Sequence, residues 1–202
     1  MAERIVTKTS ELFGILRRRW HYTRYRWAQI RQTRAKRDKD ASFRLRPFAE
    51  LVRRICMNLT ATSSVLSIGP RNDIELTILE EKGLGRVTAL DLWSGSPRIR
   101  RGDMHWMAFP DDAFDLIFAS HVFEHAYDFS KVAAECIRVL RPEGYVFCAV
   151  PTNFQPNDHD RTHFRSADEI LAHFADADPR VLHVETRPTE LVLLLRLRKG
   201  RS

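Results

Sequence analysis

Cysteine is scarce in this sequence of 202 residues, which has only Cys56, Cys136 and Cys148. The three are odd in number, lie far apart and include no Cys-x-x-Cys pair, so they do not indicate a zinc or redox site. We expect buried, reduced thiols. Glycine (eight residues) and proline (nine) are too few for a collagen-like or low-complexity chain. The composition is typical of a globular protein.

Long hydrophobic runs are also missing. The apolar stretches are short, as in residues 191–195, and fall far below the ~20 residues of a membrane-spanning helix. The first residues carry charges where a secretory signal needs an apolar core. We therefore expect a cytoplasmic protein. Its length and its 44% hydrophobic residues suit one domain with an extension.

The net charge of +7 is unevenly distributed. Residues 1–46 hold 14 of the 33 basic residues but only four of the 26 acidic ones. The basicity therefore belongs to an N-terminal arm, which predicts an anionic partner for the arm and not a basic pocket in the folded domain. We place the boundary near Asp40, between an arm of residues 1–40 and a domain of residues 41–202.

The arm has the pattern of an amphipathic helix. Its apolar residues recur at steps of four and three, with Thr23 in the gap: Leu12, Leu16, Trp20, Trp27 and Ile30. Arg17, Arg24 and Arg31 repeat every seven residues beside this stripe. Residues 12–37 could pack on a partner chain or on the protein's own core, attach to an anionic membrane surface as a peripheral protein, or contact nucleic acid. We rank packing first and nucleic acid last.

Beyond Asp40 the pattern alternates between helix and strand. A helix following Pro47 is indicated by the spacing of its apolar residues. Strands are predicted at 64–68, 86–90, 115–119 and 145–150, and helices at 73–82, 129–140 and 167–174. Strands at 181–186 and 190–198 are separated by three residues, which predicts an antiparallel hairpin. The fold class is α/β, a Rossmann-like three-layer sandwich whose mostly parallel sheet ends in that hairpin, with an N-terminal helical extension.

Two residues at predicted strand ends indicate a nucleotide site. Gly69 ends the first strand, where a missing Cβ lets a ligand approach the backbone. Asp91 ends the second strand 22 residues later, near the spacing at which a carboxylate meets ribose hydroxyls. Asn72 and Glu75 have the spacing of a capping box on the intervening helix. Each residue alone could equally be a turn glycine, a cap or a surface charge.

In order and spacing, residues 65–151 resemble class I S-adenosylmethionine-dependent methyltransferases. The resemblance is carried by the segments VLSIG (65–69), ALDL (89–92), GDM (102–104), FPDDAFDLI (109–117), HVFEH (121–125) and RVLRPEG (138–144). The last two are the most specific. A nicotinamide oxidoreductase would share the early strand–helix–strand pattern, but the sequence lacks Gly-x-Gly-x-x-Gly.

The resemblance implies S-adenosylmethionine as the cofactor and assigns residues to it. Gly69 would lie near the methionine portion, Asp91 on the ribose, Leu92 along the adenine ring, Asp103 and Met104 beside the adenine, and Ser120 or His121 beneath the pocket. The chain departs from the family after Gly69, where Pro70-Arg71-Asn72-Asp73 replaces further glycines. Arg71 could pair with the cofactor carboxylate, or instead with Asp73 or Glu75.

Methyl transfer needs alignment more than side-chain chemistry, although a base helps where the acceptor must lose a proton. His125, in the Glu124-His125 pair, is the first candidate, and His159 in the polar segment 157–163 is the second. A structural role for either histidine is equally compatible with the pattern. The histidines and aspartates of this segment have no metal-site spacing, and we expect no metal. The acceptor is not indicated, and the alternative function is an inactive methyltransferase-like adaptor that binds membrane or nucleic acid through its arm.

Overall fold

The computed structural model describes residues 2–155, 157 and 160–200. Five α-helices, two 3₁₀ turns and seven strands follow one another in this part of the chain. In order they are α1 (Ala2–Ala35), α2 (Ser42–Ile55), β1 (Ser64–Ile68), α3 (Asp73–Glu81), β2 (Arg86–Asp91), β3 (Ile99–Arg101), β4 (Phe114–Ser120), a 3₁₀ turn (Phe123–His125), α4 (Phe129–Val139), β5 (Leu140–Pro151), α5 (Ala167–Leu171), a 3₁₀ turn (Ala172–Ala177), β6 (Pro179–Thr186) and β7 (Glu190–Leu197).

The seven strands form one sheet in the order β3-β2-β1-β4-β5-β7-β6. The first five pair in parallel, and β7 runs antiparallel between β5 and β6. This confirms the Rossmann-like α/β class and the antiparallel hairpin. From β1 the chain runs outward through β2 to β3 and then crosses back to place β4 on the other side of β1. A crevice opens at the carboxyl ends of β1 and β4, where the strand order reverses.

Apolar side chains cover both faces of the sheet. Alternate residues of β1 point to opposite sides, so that Leu66 and Ile68 join one cluster and Val65 the other. The first cluster includes α4 and α5; the second includes α2 and α3. Phe118 and Phe147 stack at 4.5 Å in the second cluster. The result is the predicted three-layer sandwich.

The helix predicted to start at Pro47 begins five residues earlier. α2 starts at Ser42, and Pro47 lies inside it. Leu45 is buried ahead of the proline and makes a further apolar contact with the core. The hydrophobic spacing that we used began at Phe48 and missed this first turn.

The arm docks through a different face from the one expected. α1 is one helix up to Ala35. Among its described side chains, Tyr25 and Gln29 are buried, with 2% and 5% exposure. Three stripe residues face solvent instead: Leu16 is 52%, Trp20 55% and Trp27 61% exposed. Ile30 is half-buried, and the side chain of Leu12 lies outside the described part of the chain. The expectation that the stripe docks on the protein's own core is therefore wrong. None of the helices in the described residues is long and apolar enough to cross a bilayer.

Candidate functional site

Gly69 lies directly after β1 in a left-handed conformation, with φ +73°. Its N–H donates to the carbonyl of Leu90 at 2.8 Å, which ties the ends of β1 and β2 together. A Cβ built at position 69 would lie 2.9 Å from the Cβ of Val122 and would collide with the valine side chain. The site requires glycine both for its backbone angle and for the close approach of Val122.

Asn72 begins α3 as predicted, because its side chain accepts a hydrogen bond from the N–H of Ile74. The second half of the capping-box prediction is wrong. Glu75 is buried and accepts from the hydroxyl of Ser67 at 2.5 Å, so it turns toward β1 and not back to the helix start. Burial raises the pKa of Glu75 to about 7.

Asp91 ends β2, and its Oδ1 accepts a hydrogen bond from the N–H of Trp93 at 3.0 Å. Burial raises the pKa of Asp91 to about 6, because the charged form loses hydration there. Asp91 and Gly69 line the same cavity, as their positions at adjacent strand ends predict. An acidic group held in this cavity can accept hydrogen bonds from hydroxyl groups of a ligand.

The cavity has a volume of about 60 Å³ and lies between the strand ends and α1. The core contributes Ile68, Gly69, Leu90, Asp91, Leu92, Gly102, Asp103, Met104, Val122 and His125, and α1 contributes Tyr25, Gln29 and Thr33. The structure thus brings together Gly69, Asp91, Leu92, Asp103, Met104 and His125 from the sequence-predicted set. Helix α1 covers the cavity on the side away from the strand ends and forms its roof.

Asp103 anchors that roof. Its Oδ2 accepts a hydrogen bond from the Tyr22 hydroxyl at 2.6 Å and lies 3.4 Å from Nε of Arg26. Its Oδ1 lies 2.7 Å from Nδ1 of His105. Burial opposes ionisation of Asp103, but the hydrogen bonds from His105 and Tyr22 outweigh it and its pKa lies below the ordinary value. Asp103 therefore carries a charge that already has partners on α1.

His125 is held from two sides. Its Nδ1 lies 2.8 Å from Oδ1 of Asp160, and its carbonyl accepts from the Tyr25 hydroxyl at 2.6 Å. The hydrogen bond from His125 lowers the pKa of Asp160. The backbone N–H groups of Arg161 and Thr162 donate to the carbonyl of Glu124, which fixes this loop against the histidine. His159, the second predicted base, lies outside the described residues.

Arg71 lies beside the cavity, in a neighbouring groove that it shares with Asn72, Asp73 and Trp93. Within the described ranges it makes no hydrogen bond or ion pair, so it pairs with neither Asp73 nor Glu75. Burial and the nearby Arg44 lower its pKa. Its guanidinium remains available to an anionic group at the end of β1.

Ser120 and His121 lie at the end of β4, next to the cavity. His121 has a positive φ of 53°, and its Nε2 lies 3.0 Å from Oε2 of Glu190. Burial lowers its pKa to about 4. Among the described residues, Ser120 Oγ and Glu124 Oε2 are buried atoms with no hydrogen-bond partner. These polar atoms lie beneath the crevice that the sequence predicted.

Comparison with known proteins identifies the fold and its cofactor chemistry. The methyltransferase domain family matches residues 66–148, the stretch that contains β1, Asp91, Asp103 and His125. Over these residues the chain is similar to methyltransferase domains, in line with the sequence prediction. Malonyl-[acyl-carrier protein] O-methyltransferase from Halorhodospira halophila is 32% identical over 89 residues, which are 44% of this chain and 30% of that protein. The match therefore spans less than a third of that relative.

Solved structures share the methyltransferase fold at low sequence identity. The 1,6-didemethyltoxoflavin-N1-methyltransferase of Burkholderia thailandensis, solved with its substrate and S-adenosylhomocysteine, superimposes with a TM-score of 0.61 and 17% identity over 94% of this chain and 90% of that one. The [4+2]-cyclase SpnF gives a TM-score of 0.64 and 13% identity over 77% and 81%. One fold thus supports different chemistries.

Sequence reasoning missed the residues that α1 contributes to the methyltransferase domain. Tyr22, Tyr25 and Gln29 follow the i, i+3, i+7 spacing of one helical face, and that signal was present. It was overlooked because the Leu-Trp stripe on the opposite face is more hydrophobic. The tyrosine face docks on the core instead of the stripe, because the tyrosine hydroxyls donate to Asp103 and to the carbonyl of His125.

Replacing Glu124 with glutamine should stabilise the methyltransferase domain at pH 8 by an amount on the order of 2 kcal/mol. Burial raises the pKa of Glu124 to about 7, so the folded state binds a proton that the unfolded state has released between pH 4.5 and 7. The destabilisation is complete above pH 7 and disappears toward pH 4.5. Glutamine is neutral throughout, and the difference between the two proteins should shrink as pH falls.

Urea denaturation of both proteins at pH 8 and pH 5 measures this difference. The contribution of Glu75 is present in both proteins and cancels, whereas His121 lies 3.9 Å from Glu124 and its contribution belongs to the measured difference. The exposed Glu169, changed to glutamine in the same way, is the control. An equal difference at the two pH values would show that Glu124 is ionised to the same extent in both states.

Proposed function

We propose that this protein binds S-adenosylmethionine in the cavity beneath α1 and transfers its methyl group to an acceptor. The observation that carries the proposal is the convergence of Gly69, Asp91, Asp103 and Met104 on one cavity at the carboxyl ends of parallel strands. Ligands of open α/β sheets bind at this position. The family match supplies the identity of the cofactor.

The residues of the cavity fit this cofactor. Gly69 leaves room for a ligand to approach backbone that a Cβ would obstruct. The half-buried carboxylate of Asp91 suits two ribose hydroxyls, and the apolar atoms of Leu92 and Met104 suit the faces of an adenine ring. Arg71, which has no ion pair among the described residues, suits the amino-acid carboxylate.

The cavity as it stands is too small for such a molecule. Its volume of about 60 Å³ compares with roughly 300–1,000 Å³ for sites that hold small molecules. The core side of the cavity is built from strand ends, whereas its roof is the single helix α1, which carries Tyr25 and Gln29. Cofactor binding therefore requires an outward shift of α1, and the hydrogen bonds from Tyr22 to Asp103 and from Tyr25 to His125 oppose that shift.

The bound cofactor supplies an activated methyl group, and the protein supplies alignment and proton transfer. His125 lines the cavity, and Asp160 orients it through Nδ1. A histidine held in this way can accept a proton from a hydroxyl or amine acceptor, an effect of about 10²–10⁴-fold where such a proton must leave. His159 stays a candidate for the same role.

Calorimetric titration of S-adenosylmethionine into the purified full-length protein tests the proposal. We expect saturable binding with one site per chain, competition by S-adenosylhomocysteine and no binding of NAD. Absence of binding to the wild-type protein would contradict the proposal. Binding without release of S-adenosylhomocysteine across hydroxyl, amine and carboxylate acceptors would favour the methyltransferase-like adaptor.

A further inference from the structure

Helix α1 has two opposite faces with different environments. At 100° per residue, Leu16, Trp20 and Trp27 lie within a narrow stripe, and Tyr25 lies roughly opposite. Tyr25 is buried against the cofactor cavity, whereas the three stripe residues are between 52% and 61% exposed. The docking of the helix on its own core therefore leaves its most hydrophobic face uncovered in the described part of the chain.

The charges around this stripe have one sign. Arg17, Arg24 and Arg31 lie along one flank and Arg19 along the other, and all four are exposed. The guanidinium of Arg24 lies 4.9 Å from the ring centre of Trp20. A row of tryptophan and leucine side chains between arginines is the arrangement of helices that lie in the interface of a bilayer.

We propose that this face of α1 binds the surface of a membrane that contains anionic lipids. Trp20, Trp27 and Leu16 would enter the boundary between head groups and acyl chains, where amphipathic aromatic rings are favoured. The arginines would remain at the level of the lipid phosphates, with their aliphatic stems along the apolar region. The helix would lie parallel to the surface, because its opposite face is fixed to the core by Tyr22 and Tyr25.

The same surface continues onto the core. Arg19 and Thr23 line a groove of about 590 Å³ together with Trp106 and Lys131, and Asp128 is the one acidic residue among the described residues of its lining. Trp106 is 55% exposed, and the ammonium group of Lys131 lies 5.1 Å from its ring centre. A further exposed tryptophan with its own cation thus borders the stripe, which widens the apolar and basic face beyond one helix.

Two other occupants fit this face less well. A second copy of the chain would bring its own row of arginines against Arg17, Arg24 and Arg31, and like charges oppose such a contact. Nucleic acid would neutralise the arginines, but Leu16 cannot stack on a base and Trp20 already has Arg24 against its ring. An anionic lipid surface satisfies both the charges and the apolar centre.

Co-sedimentation with vesicles tests this proposal without cofactor, so that its outcome is separate from that of the methyltransferase proposal. The probes are vesicles of equal parts phosphatidylcholine and phosphatidylglycerol, and vesicles of phosphatidylcholine alone. We expect the wild type to bind the vesicles with phosphatidylglycerol at least about tenfold more tightly than the vesicles of phosphatidylcholine alone. We also expect its tryptophan emission to shift to shorter wavelength on binding.

Matched variants assign the binding to the face. The pair Trp20→Ser and Trp27→Ser should abolish sedimentation, whereas Met57→Ser with Val184→Ser, which removes exposed apolar side chains elsewhere, should leave it unchanged. Changing Arg17, Arg24 and Arg31 to glutamine should weaken binding more than about tenfold. Changing Arg54, Arg165 and Arg180, which are exposed outside α1, removes the same charge and should have a smaller effect.

Several results would overturn the proposal. They are failure of the wild type to bind anionic vesicles, equal losses in the stripe variants and their controls, tighter binding to single-stranded RNA than to vesicles, and a wild-type dimer that the tryptophan variants convert to a monomer. Thermal unfolding of each variant checks that it is folded. The changed residues are exposed, so we expect unfolding temperatures close to that of the wild type.

Discussion

Replacing Asp91 with alanine should weaken S-adenosylmethionine binding by at least about 100-fold, because two hydrogen bonds from ribose hydroxyls to a half-buried carboxylate would be lost. The loss should not come from unfolding. Burial raises the pKa of Asp91 to about 6, so its charge destabilises the empty protein above that pH, and alanine removes this cost together with the hydrogen bond to Trp93. We expect the unfolding temperature at pH 8 to stay within a few degrees of the wild type.

The pH dependence of binding gives a second signature of Asp91. Above pH 6 its carboxylate is charged and accepts both hydrogen bonds; below pH 6 a proton occupies one oxygen of the empty site and must be released when cofactor binds. Affinity of the wild type should therefore fall as pH decreases from 7.5 to 5, and this trend should be absent in Asp91→Asn. Calorimetry with Asp176→Ala, an exposed carboxylate removed outside the cavity, is the control. Unchanged affinity in Asp91→Ala would remove Asp91 from the site.

Regular elements with strong local patterns could be predicted from the sequence. The apolar run 64–68 gives β1 with the same bounds that the structure has, and the short link before Glu190 fixes the hairpin. β3 was missed because it has only three residues, Ile99–Arg101, of which one is buried. Such a strand exists only because β2 offers it an edge, and that information is not local.

The orientation of side chains between elements could not be predicted in the same way. The arm was expected to bury its leucine and tryptophan side chains, yet it buries Tyr25 and Gln29. Hydrophobicity ranks side chains by their transfer from water, but the core surface under α1 presents polar groups, including Asp103 and the carbonyl of His125. The hydroxyls of Tyr22 and Tyr25 donate to those partners, whereas a leucine has no polar atom to offer them. The choice of face depends on a surface that forms only after the sheet has folded.

Replacing Gly69 with alanine should abolish cofactor binding and destabilise the domain by about 2–4 kcal/mol. Two effects combine at this position. Alanine is strained at a φ of +73°, and its Cβ would collide with the side chain of Val122. Gly69 and Val122 both line a cavity of only about 60 Å³, so a shift of either residue changes the shape of the cavity and binding should suffer beyond the loss of stability.

Gly83 provides a control that separates these effects. It has a similar φ of +65°, but a Cβ there would meet no atom within 4 Å. Gly83→Ala should therefore show only the cost of a left-handed backbone, about 1 kcal/mol, with cofactor affinity unchanged. Urea denaturation and calorimetry on both variants measure the two quantities. If Gly69→Ala matched Gly83→Ala in free energy of unfolding and in cofactor affinity, Val122 would have moved aside at little cost. Glycine would then be needed at position 69 for its backbone angle alone. A larger loss of binding at Gly69 would instead show that the first strand end is shaped to hold a ligand against its backbone.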